Sequence, residues 1–382
     1  MLCVRKSLIR NDVSTPYAGP RRPGKDGTDR DGEVLAGLSM ANTGLCGYDG
    51  FVPPRAVVAK SLLALGLAAA IVSSAAFPSA PWAQVRRTVV MTSGAVDGAF
   101  YPIAGAISRI TSDARDLNFR VAVESSAGSI ANVLLLKTGE AELAFLQNDV
   151  AYYAFNGITL EEFAGKPVKN IAGVFSVYPE IVHVLARKAV DVRSIRDLKG
   201  KRVVLGVPGS GAEQNAVQVL KAHGIREGDV RMVQSVGRTA AFDQLKAGTV
   251  DAVFVSTALG SPLIAEAMAS GKLTLLGIAE TVGDTLRRDY PFYTIEKIPA
   301  NTYPGQERDV TSAEVMAILV ARSSVPDETV YALTKAVFDN LPQFHSSHPA
   351  ARHLTLHTAL SGMALPLHPG AERYFQQNGI AR

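Results

Sequence analysis

The segment LLKTGEAELAF at residues 135–145 returns as QLKAGTVDAVF at residues 244–254, with Leu, Lys, Gly, an acidic residue and Phe at identical offsets. Each copy reads as the end of a helix, a glycine that stops it, and an apolar run of strand character. A chain carrying this unit twice is constrained toward two equivalent α/β halves. The flanking sequence agrees. From Arg86 onward, short β-branched runs (RTVVMTSG, FRVAVESS, AELAFLQND, then EIVHVLARK, KRVVLGVPGSG, VDAVFVSTA) alternate with helical patterns (YPIAGAISRITSDA, IANVLLLKTG, AEQNAVQVLKAHG). Such alternation predicts parallel sheets covered by helices, with Gly139 capping the second helix.

Composition is needed only to bound the partners. With 382 residues, 47% hydrophobic and 19% charged, the chain has ample core for two lobes. The formal charge of +4 sits upstream: residues 1–84 hold nine Lys/Arg against six Asp/Glu, and the remainder is balanced at 30 against 29. A neutral body excludes a nucleic-acid binder, which needs a concentrated basic face. The two cysteines, Cys3 and Cys46, both precede the export segment described next, so the exported chain needs no disulfide or metal staple.

Residues 1–54 are rich in Gly, Pro, Arg and Asp and lack apolar periodicity, which predicts a disordered extension or a start assigned too far upstream, with Met40 an alternative. Residues 55–83 then carry Arg55 and Lys60, an apolar stretch from Leu62 to Val72, and small residues leading to Ala76 and Ala83. This layout predicts a secretory signal peptide and a periplasmic protein. The apolar run is shorter than the roughly 18–20 residues a membrane span requires.

The chemistry-bearing feature is a pair of small, polar clusters at strand-to-helix junctions, SSAGSIAN at 125–132 and PGSGAEQN at 208–215. A helix amino terminus presents unpaired N–H groups and the positive end of the helix dipole, and so favours an anion. Glycine allows close approach and serine adds donors at little steric cost. Ligands of open α/β sheets bind at the carboxyl ends of strands, so two such lobes would bring both clusters to one cleft.

Competing chemistries fit less well. No Gly-rich loop ends in Lys-Ser or Lys-Thr, and GVPGSGAEQ lacks the third glycine of a dinucleotide fingerprint. Neither Ser129 nor Ser210 sits in a G-x-S-x-G elbow, although a secreted serine hydrolase using one of them stays open as the alternative from another class. His353 and His357 have the spacing of two ligands on one helix face, but no Glu follows His353 as in H-E-x-x-H; a structural or surface helix is expected, with no metal and no cofactor.

The order GAFYP, VESSAGSIANVLLLKTGEAELAFLQND, YPEIVHVLAR, DLKGKRVVLGVPGSG, YPFY, IPANTYPGQ, VYALTKAVFDNL and LPLHPGAERYF resembles the TAXI-type solute receptors of tripartite ATP-independent periplasmic (TRAP) transporters, from about Val89 to the end. The resemblance implies a type II periplasmic binding fold: two α/β lobes, 86–177 with 323–382 and 178–322, closing on a small organic anion of the glutamate or dicarboxylate class. It implies no catalysis, a monomeric mature chain, and delivery to integral membrane TRAP permease subunits. A periplasmic sensor partner that binds the same ligand is a further alternative. Carried over onto this chain, the ligand-binding positions are Tyr101 in the first turn, Ser126, Gly128, Ser129 and Asn132 at the first helix start, and Gln147 after the third strand. Tyr178 and Glu180 lie at the crossover, and Gly209, Ser210 and Gly211 in the second anion loop. The chain departs from the family pattern at Asp97 and Phe100, at Ala212, and at LGSP (259–262). Asp97 is expected to point to solvent on its turn.

Overall fold

A computed structural model describes residues 86–380; the predicted extension and signal peptide lie outside the described residues. The first lobe opens with β1 (Arg87–Thr92), α1 (Phe100–Asp113), β2 (Phe119–Glu124), α2 (Ser129–Thr138), β3 (Leu143–Gln147) and α3 (Asn148–Asn156). The long strand β4 (Ile171–Arg187) crosses into the second lobe. There follow β5 (Arg202–Val204), α4 (Gly211–Ala222), β6 (Arg231–Met232), α5 (Arg238–Ala247), β7 (Ala252–Thr257), α6 (Pro262–Ala269), β8 (Leu273–Leu276), α7 (Glu280–Asp289) and β9 (Thr294–Ile298). A second long strand, β10 (Val310–Arg322), returns the chain to the first lobe, where α8 (Asp327–Asp339), α9 (Leu341–His345) and α10 (Pro369–Gln377) complete it.

The strands run β2-β1-β3-β10-β4-β7-β5-β6, with β8 on β4 and β9 on β10. Pairs β1–β2, β1–β3, β5–β6 and β5–β7 are parallel, whereas the crossing strands pair antiparallel with their neighbours. This is the expected two-lobed α/β architecture. Each lobe repeats strand, helix, strand, helix, strand, and the crossing strands join the two. On β10 the partner changes from β9 at 310–314 to β3 at 317–321, with register shifts against β4 just beyond Ala317. The cores divide at the same level. Val315 packs with the second lobe and Ala317 with the first, and Tyr178 and Ile181 of β4 divide likewise.

The central strands explain why the apolar runs are unbroken. All five residues of β3 and all six of β7 are buried, because helices cover both faces of each lobe. Phe145 and Phe254, equivalent in the sequence repeat, are both buried; truncating either to Ala costs about 3–5 kcal/mol on the usual scale for core aromatics.

The rest of the repeat is also accounted for. Gly139 and Gly248 close α2 and α5 in the left-handed region, at φ 90° and 80°. A Cβ on Gly139 would meet the Arg322 guanidinium at 2.6 Å, and one on Gly248 that of Arg187 at 2.9 Å. Arg322 ends β10 and donates its N–H to the Glu142 carbonyl, while Arg187 ends β4 and donates to that of Asp251. The repeated unit is the anchor for the far end of each crossing strand.

One expectation is corrected here. No helix links His353 to His357: the former ends a 3-10 turn (Pro349–His353) and the latter lies in a turn. Neighbouring histidines serve as caps instead, His348 accepting from Ala350 N–H and His368 from Gly370 N–H. Among the described residues no group of three or more His, Cys, Asp or Glu is placed to hold a metal, and no helix is long and apolar enough to cross a membrane.

Candidate functional site

Four loops at the carboxyl ends of parallel strands meet between the lobes: 93–99 after β1, 125–128 after β2, 205–210 after β5 and 233–237 after β6. The first three, with Arg238 just beyond the fourth and the end of β7, line a cavity of about 50 Å³. A water needs roughly 10–15 Å³ on this measure, so the closed cleft has room for a small polar headgroup.

Six of the expected residues line it: Gly128, Ser129, Gln147, Glu180, Ser210 and Gly211. Four others support it. Ser126 accepts the Gly128 N–H at 3.1 Å and so shapes the turn into α2. Asn132, fully buried, donates from Nδ2 to the carbonyls of Ser93 at 2.6 Å and Phe145 at 2.8 Å, tying two strand ends together. Tyr178 donates its hydroxyl to Glu180 Oε1 at 2.9 Å. Gly209 lends its carbonyl to α2, as described below. Tyr101 is not brought in; it lies 37% exposed on α1, and its neighbour Phe100 lines the cavity instead.

Several donors face no protein acceptor. Among the described residues, the N–H groups of Ser129, Gly211 and Ala212 make no hydrogen bond, and all three residues border the cavity. The serine hydroxyls are partly committed to the fold: Ser129 Oγ accepts the Gln147 N–H at 3.0 Å, and Ser210 Oγ caps α4 by accepting the Glu213 N–H at 3.2 Å. Glu180 takes bonds from Gln147 Nε2 at 2.7 Å and Tyr178, while Gln147 Oε1 is buried without a hydrogen-bond partner among the described residues. A Cβ on Gly211 would lie 2.0 Å from that oxygen, so the close approach requires glycine there. Burial pushes the Glu180 carboxyl up, against the downward pull of the nearby Arg238 charge and of its hydrogen bonds to Gln147 and Tyr178.

Arg238 is the site residue that sequence reading missed. It opens α5 and lines the cavity, and its hydrogen bond is to the Ser256 carbonyl at 3.3 Å; no described carboxylate forms an ion pair with it. The signal that reveals it is the repeat itself, extended backwards. Ser126, Gly128, Ser129 and Ala131 stand at the offsets of Ser235, Gly237, Arg238 and Ala240. The helix start equivalent to α2 is therefore α5, and the sequence pairing of α2 with α4 is corrected: α4 corresponds to α1.

The same symmetry governs contact between the lobes. At α2 the N–H groups of Ile130 and Ala131 donate to the Gly209 carbonyl of the second lobe, at 3.2 and 3.3 Å. At α5 the N–H and hydroxyl of Thr239 donate to Asp97 Oδ2 of the first lobe, both at 3.0 Å. Ile130 and Thr239 occupy the same position in the repeat. Asp97 is exposed, as expected, but its carboxylate spans the cleft rather than pointing away.

The profile of the NMT1-like family matches residues 91–379. The chain belongs to the NMT1-like family. Solved structures to which it is similar include the alkanesulfonate-binding protein SsuA from Xanthomonas axonopodis pv. citri bound to MOPS, at 16% identity over 76% of this chain and 83% of that one, TM-score 0.42. Another is PhnD1 from Prochlorococcus marinus in complex with methylphosphonate, at 14% identity over 69% and 91%, TM-score 0.46. A third is a mutant of ArgBP from T. maritima, at 15% identity over 68% and 91%, TM-score 0.41.

In this NMT1-like chain a second buried polar group lies beside the cavity. Asp149, at the start of α3, is fully buried and accepts Asn215 Nδ2 of the other lobe at 3.2 Å, while its Oδ1 has no hydrogen-bond partner among the described residues. Asn215 also donates to the Tyr293 hydroxyl at 2.8 Å and accepts the Ser256 hydroxyl at 2.7 Å. Burial, with a smaller contribution from the Glu180 charge, pushes Asp149 up to about 7. The arrangement therefore offers a convergent set of unpaired N–H donors and one arginine for an anion, flanked by two carboxyl groups whose ionisation burial opposes.

Proposed function

We propose that this NMT1-like protein is a periplasmic solute receptor without chemistry of its own, exported by its signal peptide. Its two lobes close on a small organic anion of the glutamate or related dicarboxylate class and hand it to a TRAP-type membrane permease. The observation that carries the reading is Arg238: a half-buried arginine that forms no ion pair among the described residues, lining the cleft beside the free N–H groups of Ser129, Gly211 and Ala212. A cation and unpaired N–H donors lining one cleft are complementary to a carboxylate, and charge-assisted bonds of this kind are the strong ones. Ser129 and Ser210 use their hydroxyls as acceptors for backbone N–H groups, which favours a positioning role over a nucleophilic one. The lobe limits that go with the reading are 86–177 and 323–382 against 178–322, with the β10 crossing near Ala317.

Native mass spectrometry of protein purified from cells tests it. One small acid per chain is expected, lost in Arg238→Ala, with L-glutamate, 2-oxoglutarate and succinate then compared by calorimetry. A serine-dependent hydrolysis of any ester or amide would overturn it.

A further inference from the structure

Arg238 belongs to the second lobe, yet two neighbours that fix it come from the first. The Asp97 carboxylate holds Thr239, the next residue, by both its N–H and its hydroxyl. Gly98 lies directly under the guanidinium: a Cβ built there would come within 1.9 Å of Arg238 Nη1 and 3.1 Å of its Cζ. Gly98 does not have the positive φ that most of the loop glycines show, so the backbone does not require a glycine at this position. The guanidinium occupies the space a side chain there would take, so any Cβ must displace it.

Resting on the receptor reading, the geometry points to Asp97 and Gly98 as the positioning residues of Arg238: the turn of one lobe sets the anion-binding arginine of the other, so the arginine takes its place in the site only as the lobes close. Asp97 stops α5 from moving away by capping its first turn across the cleft. Gly98 leaves the channel through which the guanidinium enters the cavity. Anion capture and closure are then one event, and a ligand meeting the open form finds the arginine unfixed.

The test combines scattering, NMR and binding, with L-glutamate as probe. Ligand-free Asp97→Ala should be more open than wild type, with a radius of gyration larger by roughly 1 Å, about a twentieth for a chain of this size. Asp97→Asn, whose amide oxygen still accepts from Thr239, should match wild type. Gly98→Ala should keep the closed radius but shift the Arg238 Nε–H signal, identified by its loss in Arg238→Lys. It should also weaken L-glutamate about tenfold, and by nothing further in an Arg238→Ala background, as a contact acting through that side chain requires. An unchanged radius in Asp97→Ala, or a Gly98→Ala loss that adds in full to that of Arg238→Ala, overturns the proposal. Wild type that binds no L-glutamate refutes the ligand class instead, while the scattering and NMR measurements still decide whether the turn positions the arginine.

Discussion

The two helix starts α2 and α5 occupy equivalent places in the repeat, and each is capped by the opposite lobe, but the caps differ in kind. At α2 the acceptor is the main-chain carbonyl of Gly209, which no side-chain substitution removes and no pH change titrates. At α5 it is the carboxylate of Asp97, which is both replaceable and charged. The helix interiors differ too. Asn132 of α2 holds strand ends of its own lobe, whereas its equivalent in α5 is Ala241, buried in the apolar core. The repeated scaffold has kept positions and changed chemistry: one lobe braces its helix start with its own asparagine, and the other places an arginine there.

The largest effect that would sharpen this contrast is expected at the seam, where Asp149 meets Asn215. The folded chain holds the Asp149 proton more tightly than the unfolded chain, in which the group titrates near 3.8. Stability should therefore fall as pH climbs from about 4 to about 7, by something of the order of 4 kcal/mol, and level off above. Urea denaturation of Asp149→Asn across that range should show a shallower fall than wild type, the remainder coming from Glu180 and Glu314, which burial also pushes up; an unchanged slope would place the titrating group elsewhere. Next comes Asn132→Ala, which removes a buried donor from the Phe145 carbonyl and leaves that of Ser93 with the Ser126 hydroxyl alone at 3.4 Å; it should cost roughly 1–3 kcal/mol. A loss below about 1 kcal/mol would mean that the first lobe is no better braced than the second.

Smaller effects separate capping from binding. Ser210→Ala removes the α4 cap and should lower stability by about 1 kcal/mol. Ser129→Ala should cost about tenfold in affinity, or 1.4 kcal/mol, by calorimetry with the acid found in native spectra, and some stability as well, because the buried Gln147 N–H loses its acceptor. The smallest is His353→Ala with His357→Ala: affinity should not move, since neither side chain lines the cleft.

Much of this was legible because it depends on period and composition. Alternating apolar runs gave the two-lobed sheet, and the buried centres of β3 and β7 are the runs that looked most like strands. The glycine-serine turns pointed to the cleft, since only small residues let four loops converge. What was not legible depends on geometry across the two halves. Arg238 sits in a segment, SVGRTAAFDQ, whose lone arginine looks like any exposed helix start; only its offset from Ser129 distinguishes it. Asp97 looked solvent-directed because nothing local tells a turn residue that a second lobe will lie opposite. Tyr101 and Phe100 differ by one position on α1, and which of them faces inward is set by how the helix packs. The His353–His357 spacing misled because spacing implies a shared face only if the segment is helical.

The Gly209 carbonyl on α2 also bears on exchange. Any ligand oxygen that settles on the Ile130 and Ala131 amides must evict an acceptor already tethered there at high effective concentration. Such a ligand gains only the difference between two similar bonds, and on leaving it is replaced by the protein's own carbonyl rather than by water. On the proposed receptor reading, the built-in competitor shortens residence time without widening the pocket.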